Sequence, residues 1–178
     1  IIKSDSEIIT VYSYEKAEEI SEIALELGKV QDIMLKVVDK NSSIYPGQES
    51  GFEIEDIEEE VRKLLSLKGV NINGLTSFPC FLYNKEKKRI EPTENIKAVM
   101  KAKKILKDKF SKEIEQTNLP SATSVENMKM LSESGGTHGE PGHSLTGTTP
   151  MAEDVEIAEL PAYIYISEVS HNFRGKGY

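Results

Sequence analysis

The chain has one cysteine, Cys80, among 178 residues. That excludes an internal disulfide framework and suits a reducing compartment, so a cytoplasmic location is expected. Long apolar runs are missing as well: none approaches the roughly 20 residues that a membrane-spanning helix needs. Positive charge is in the minority, 22 Lys and Arg against 30 Asp and Glu, for a formal net charge of −8. No field for neutralising nucleic-acid phosphates is expected from that balance. The start, Ile1-Ile2-Lys3-Ser4, has neither Met nor the basic-then-apolar pattern of a secretory leader. What is present is 38% hydrophobic content, enough for one ordinary domain with a real core.

Strand and helix patterns alternate along most of the sequence. Glu7 to Tyr12 is short, β-branched and bounded by Ser and Asp, which predicts a buried strand. A helix follows with Ala17, Ile20, Ile23, Ala24 and Leu27 on one face and Gly28 as its stop. Ile33 to Val38 predicts the next strand, and Ile54, Ile57, Val61, Leu64 and Leu65 mark a second amphipathic helix closed by Gly69. Val70 to Thr76 is strand-like, and Asn84 to Glu91 is expected to be a charged loop. A third helix is predicted from about Thr93 to Phe110, with Ile96, Val99, Met100, Leu106 and Phe110 inward. Lys112 to Leu119 reads as a weak strand and Ser124 to Leu131 as a short helix.

This order argues for parallel βα units with right-handed crossovers. The expected class is α/β, about the last five units of a (β/α)8 barrel of TIM type, where a closed barrel needs eight. Residues 1–150 are assigned to that partial barrel. Residues 151–178, with the aromatic and β-branched run Ala162 to Ile166, are expected to begin a β-rich C-terminal domain. A start without Met almost inside a strand, and an end just as the β region begins, lead us to expect an interior fragment.

Thr137 to Gly147 carries the most chemistry. It holds three glycines (Gly139, Gly142 and Gly147), two histidines and the carboxylate of Glu140. Clustered glycines leave N–H groups free to face an anion. A carboxylate fixed beside such a nest needs a cationic partner. A ligand with a phosphate at one end and a protonatable ring nitrogen at the other satisfies both, and pyridoxal 5'-phosphate is such a ligand. Asn118 to Ser124 offers a second set of donors, small hydroxyl residues leading from a strand end into a helix. In a parallel barrel the two segments would be neighbours at the C-terminal face, where ligands bind.

Other features have plainer readings. The lysines between Lys85 and Lys112 share a helix with an apolar stripe and form a solvated face. The acidic run Glu53 to Glu60 suits a helix N-terminus. His138, His143 and Glu140 match no zinc spacing, so no metal is expected. Cys80, among apolar neighbours, reads as a small buried filler, and His171 as structural.

At the quoted residues the sequence resembles the fold-type III pyridoxal-phosphate enzymes, the alanine racemase and ornithine decarboxylase superfamily, and within it the YhfX-like predicted amino-acid racemases. The resembling blocks are Ile9 to Ser13, Tyr45 to Phe52, Gly74 to Tyr83, Pro120 to Ser124, Glu140 to Pro150 and Ser167 to His171. The resemblance implies pyridoxal 5'-phosphate as cofactor, an amino acid as small-molecule substrate, no nucleic-acid or membrane partner, and a homodimer for the intact protein.

The resemblance also implies residue roles. Ser121 stands at the phosphate-binding serine, with Thr123 and Ser124 as helpers, and Gly142 and His143 offer backbone N–H groups to the same phosphate. Glu140 addresses the pyridine nitrogen, where alanine racemases have arginine and the decarboxylase branch has glutamate. Gln48 and Glu49 replace an arginine near the phenolic oxygen, and Phe78 or a neighbour faces the ring. The lysine that forms the Schiff base belongs to a first strand that precedes Ile1. Lys36 corresponds to another lysine without that role. The implied activity is racemisation or epimerisation, in which one base removes the α-proton and a second returns it from the opposite face. The fragment alone is expected to be inactive. Decarboxylase or aldolase chemistry on the same fold, and a non-catalytic cofactor carrier, are the alternatives.

Overall fold

The computed structural model describes residues 1–160, 162, 166, 168, 172–174, 176 and 177. Strand and helix alternate as the periodicity requires. In chain order they are β1 (Ile8–Val11), α1 (Tyr14–Glu26), β2 (Gln31–Val38), β3 (Phe52–Glu53), α2 (Ile57–Leu64) and β4 (Val70–Thr76). Then come β5 (Phe81–Asn84), β6 (Arg89–Pro92), α3 (Glu94–Phe110), β7 (Gln116–Asn118), α4 (Val125–Glu133) and α5 (Gly142–Thr146). Three helices start at hydroxyl caps. Ser13 accepts the Lys16 N–H, Thr93 that of Asn95 and Ser124 that of Asn127, each such cap being worth about 1 kcal/mol.

The sheet runs β1-β2-β4-β7, all parallel, with β3 paired to the end of β2. Asn118 makes a further parallel bridge to His138, so the chain at His138 takes the next strand position. This is a segment of a (β/α)8 arrangement, as expected.

Its two faces differ in kind. Toward the helices, Val11, Ile33, Leu35, Ile72 and Leu75 join Ile57, Leu64, Val99 and Leu106 in one buried core, and each such aliphatic side chain contributes about 1.5–3 kcal/mol. On the other face, register sets Thr10 beside Met34, Lys36 beside Thr76, and Thr76 beside Asn118. Between Ile33 and Met34 the pairing with β4 shifts by one residue, a bulge at Asn73. Below it, Asp32 accepts hydrogen bonds from the Asn71 and Asn73 amides at 2.7 and 2.8 Å.

Four expectations change. Asn84 to Glu91 is not an open loop but the end of a hairpin, with β5 antiparallel to β6. Charge hides it: only Ile90 there is an apolar residue, and it is buried. Glu91 gathers the turn, because Lys87, Arg89 and Asn84 all donate to its carboxylate and draw its pKa down to about 2. Ile23 and Leu27 are exposed, and the buried face of α1 is Ala17, Ile20, Ser21 and Ala24. The third change is at α2, which ends at Leu64, well before Gly69. Gly69 serves a close approach instead: a Cβ there would lie 2.0 Å from the Ser21 carbonyl oxygen, and its N–H donates to Ser21 Oγ at 2.9 Å. Last, Gly142 to Thr146 forms the short helix α5.

The run Ala162 to Ile166 lies largely outside the described residues, as does His171. Beyond it, β8 (Asn172–Phe173) and β9 (Lys176–Gly177) pair antiparallel. Met151, in the short 3-10 turn Pro150–Glu153, is buried against the main core. Among the described residues no helix is long and apolar enough to cross a membrane.

Replacing Gly69 with Ala forces a methyl group into backbone that cannot move aside, an overpacking cost of about 1–3 kcal/mol. Urea denaturation should show a lower midpoint at an unchanged m-value; an unaltered midpoint would refute the packing.

Candidate functional site

The C-terminal ends of β4, β7 and the His138 segment converge because backbone hydrogen bonds tie them together. Leu119 N–H donates to the His138 carbonyl at 2.9 Å, and Thr137 N–H to the Thr117 carbonyl at 2.8 Å. Cys80 N–H donates to the Pro120 carbonyl, while Thr93 N–H donates to the Cys80 carbonyl. The Phe78-Pro79-Cys80 loop is thereby clamped between β7 and the start of α3.

Two cavities meet there. One, of about 300 Å³, is lined by Ser121, Thr123, Gly142, His143, Tyr45 and Phe78 among others. The second, of about 440 Å³, is lined by Tyr12, Lys36, Gln48, Ser50, Thr76 and Pro120 among others. Glu140 and Phe78 line both. The Phe78 ring stands 5.6 Å from that of Tyr45, tilted by 55°.

The turn after β7 is unusual in backbone. Ser121 and Ala122 both have positive φ, 84° and 48°, a conformation that costs non-glycine residues about 1–2 kcal/mol each. Successive residues of this kind turn their N–H groups to one side as an anion-binding concavity. Among the described residues, the N–H groups of Ser121, Ala122 and Thr123 have no protein partner. The N–H of His143 is equally free, whereas that of Gly142 donates to the Glu140 carbonyl at 2.9 Å.

Five of the six expected cofactor residues therefore line one cavity: Ser121, Thr123, Glu140, Gly142 and His143. Ser124 stands apart, buried as the cap of α4 and accepting the Asn127 N–H at 3.3 Å. The next N–H of that helix, from Val125, donates to Glu159 at 2.6 Å. The free donors thus lie on the 121–123 turn, ahead of the helix rather than at its N-terminus.

Glu140 is fixed from two sides. Asn118 Nδ2 donates to its Oε1 at 2.8 Å, and its own N–H donates to Thr123 Oγ1 at 3.1 Å. Its Oε2 has no partner among the described residues. Asn118 also donates to Thr76 Oγ1 at 3.3 Å, while its buried Oδ1 has none. Sequence reading named Asn118 only as the start of the donor segment 118–124 and Thr76 only as a strand end; the signal available was alternation, which puts polar residues at the strand ends on the face away from the core.

Lys36, which the sequence reading named only as a lysine without the Schiff-base role, is the lone cation in the run Ile33 to Val38. It is 4% exposed, donates to the Gln48 carbonyl at 2.6 Å and lies 5.4 Å above the Tyr12 ring. Burial lowers its pKa, and the charge of Glu49 opposes that shift. Gln48 meets Lys36 through its backbone, and Glu49 turns back to accept the Gly47 N–H at 2.9 Å.

The histidines make separate local contacts, His138 Nδ1 with Thr137 Oγ1 at 2.7 Å and His143 Nδ1 with Thr148 Oγ1 at 3.5 Å. Among the described residues no three His, Cys, Asp or Glu side chains gather as metal ligands. Cys80 is fully buried, its Sγ 3.1 Å from the Ser77 carbonyl oxygen.

Burial, supported by the charge of Glu140, pushes the Cys80 thiol up from 9.0 to about 12. At pH 8 the folded chain should resist a thiol reagent and react fully in denaturant. Since the folded pKa is the higher one, stability should fall as pH rises from about 9 toward 12. A rapidly labelled native thiol would contradict this.

Comparison with known proteins gives consistent results. Residues 2–150 match the family described as alanine racemase, N-terminal domain. An uncharacterized protein of Escherichia coli K12, YhfX, is 39% identical over 180 residues, covering 99% of this chain and 46% of YhfX. The chain thus spans about half the length of that relative. PipY of Synechococcus elongatus PCC7942, solved with PLP bound, superimposes with a TM-score of 0.54 at 21% identity, over 76% of this chain and 58% of PipY. Diaminopimelate decarboxylase of M. jannaschii, in complex with L-lysine, gives 0.52 at 21% identity, over 67% of this chain and 29% of the enzyme. These two likenesses establish the fold.

Proposed function

Because the chain belongs to the alanine racemase N-terminal domain family, we propose that it forms the phosphate and ring-nitrogen half of a pyridoxal-phosphate site in an amino-acid racemase or epimerase. The cofactor of this group of proteins is pyridoxal 5'-phosphate. The observation that carries the reading is Glu140, standing between the two cavities with one oxygen fixed by Asn118 and the other without a partner. The residues present fit the cofactor: N–H groups with no partner among the described residues at one end, the Glu140 carboxylate held by Asn118 in the middle, and an open cavity beyond.

When bound, the cofactor supplies an electron sink for the bonds at an amino acid's α-carbon. The chain's own residues divide the remaining work. The 121–123 turn and the His143 N–H hold the phosphate, with Ser121 Oγ as a further donor. Glu140 Oε2 keeps a proton on the ring nitrogen, and each pK unit of such a bias corresponds to about 1.4 kcal/mol. Asn118 stops the carboxylate from rotating away. Phe78, packed on Tyr45, limits the ring's position and excludes water from one side. The bases that move the α-proton are not assigned to this chain.

The test is a titration of the chain with pyridoxal phosphate and with pyridoxal, followed by absorbance. We expect the phosphate form to bind roughly a hundredfold tighter, since it gains several charge-assisted hydrogen bonds. Ser121→Ala should narrow that gap, and Glu140→Gln should shift the bound spectrum toward the unprotonated ring with little loss of phosphate discrimination. Equal binding of both forms would sink the cofactor reading. Reaction type is read in a protein of the relative's full length by chiral chromatography: inverted amino acid supports racemisation, and released carbon dioxide would replace it with decarboxylation.

A further inference from the structure

Lys36 is a buried cation that neither the core nor the phosphate end explains. It is the one positively charged residue lining the 440 Å³ cavity, and among the described residues no carboxylate lies within ion-pair distance of its Nζ. An ammonium has three hydrogens to donate. One goes to the Gln48 carbonyl at 2.6 Å, and the Tyr12 ring lies 5.4 Å away. Two remain without a partner among the described residues. A desolvated charge of this kind is costly unless something completes its shell.

Position indicates what that is. Lys36, Thr76 and Asn118 are direct neighbours on successive strands, so Lys36 lies two strand spacings, about 10 Å, from the residue that holds Glu140. A pyridine ring whose nitrogen meets Glu140, extended by an amino acid on its far side, has a comparable reach. The group at the end of that reach is the α-carboxylate, which needs a cation.

We propose that Lys36 anchors the α-carboxylate of a small amino acid, donating its two free hydrogens to the carboxylate oxygens. The assignment rests on the cofactor reading for its ruler, but the anchor itself binds a carboxylate whether or not cofactor is present. It also explains why the amine is held between Gln48 and Tyr12. Those contacts fix its direction while leaving it without an ion pair among the described residues.

The experiment titrates the chain with sodium propionate and, separately, with propionamide, following the Lys36 side-chain signal by NMR. Propionate should shift that signal saturably and propionamide should not. Lys36→Met, which keeps the shape and removes the charge, should weaken propionate binding roughly tenfold or more, the value of a charge-assisted pair. Lys36→Arg should retain most of it, and circular dichroism confirms that each variant is folded. Equal response to both probes, or propionate binding unchanged in a folded Lys36→Met chain, would overturn the anchor. Pyridoxal-phosphate binding by the same variants separates the two readings. Cofactor binding without Lys36-dependent propionate binding removes only the anchor, and the reverse removes only the cofactor.

Discussion

The parallel register that sets Lys36, Thr76 and Asn118 side by side is the constraint on which the site depends. In a parallel sheet a shift of one residue moves every side chain to the other face. Here that would exchange Leu35, Leu75 and Thr117, packed toward the helices, for the polar row that faces the cavity. The core therefore enforces the site. Leu35 and Leu75 are fully buried, and the free energy of keeping them from water also holds the amine, hydroxyl and amide in line. The bridge from Asn118 to His138 carries the register one strand further and brings Glu140 within reach.

The two ends of the site are built differently. At the 121–123 turn, backbone does the work: two left-handed residues hold N–H groups outward at a steric cost that the turn's anchors must cover. In the middle, a side-chain network of Thr76, Asn118, Glu140 and Thr123 fixes one carboxylate. At the far end a single cation is buried, with no carboxylate within ion-pair distance among the described residues and Glu49 acting on it only from farther off. Rigid donors at one end and a buried cation at the other suit a ligand whose first half stays and whose second half is exchanged.

Much of this was legible in the sequence, for reasons that differ by element. β-branched runs such as Val70 to Thr76 and capped stripes such as Thr93 to Phe110 carry their period openly, and both fell where expected. Glycine density and a lone carboxylate marked Thr137 to Gly147, and its nearness to Ser121 followed from parallel topology. The hairpin at Asn84 to Glu91 was hidden because charge pairing, rather than apolar alternation, closes it. Gly69 was misread since a stop glycine and a close-approach glycine look alike without the neighbour, here Ser21. Lys36 was set aside, and Asn118 was named only as the edge of a donor segment, because depth in a strand depends on which face the residue takes, and that face is set by a partner strand.

The extra residue in β4 bears on that last point. Asn71 and Asn73 are odd-numbered, and both reach Asp32 on the cavity side of the sheet. Beyond the shift, the even-numbered Gly74 and Thr76 pair with Met34 and Lys36 on that same side. The strand thus changes reading frame halfway along. Were Asn73 alone removed, Ile72 would run directly into Gly74, and Leu75 and Thr76 would keep both their partners and their faces; were a residue removed between Gly74 and Thr76 instead, the end of the strand would turn over. For this chain, a one-position gap at Asn73 is therefore neutral for the site's register, whereas the same gap anywhere else in β4 would exchange its core and cavity faces.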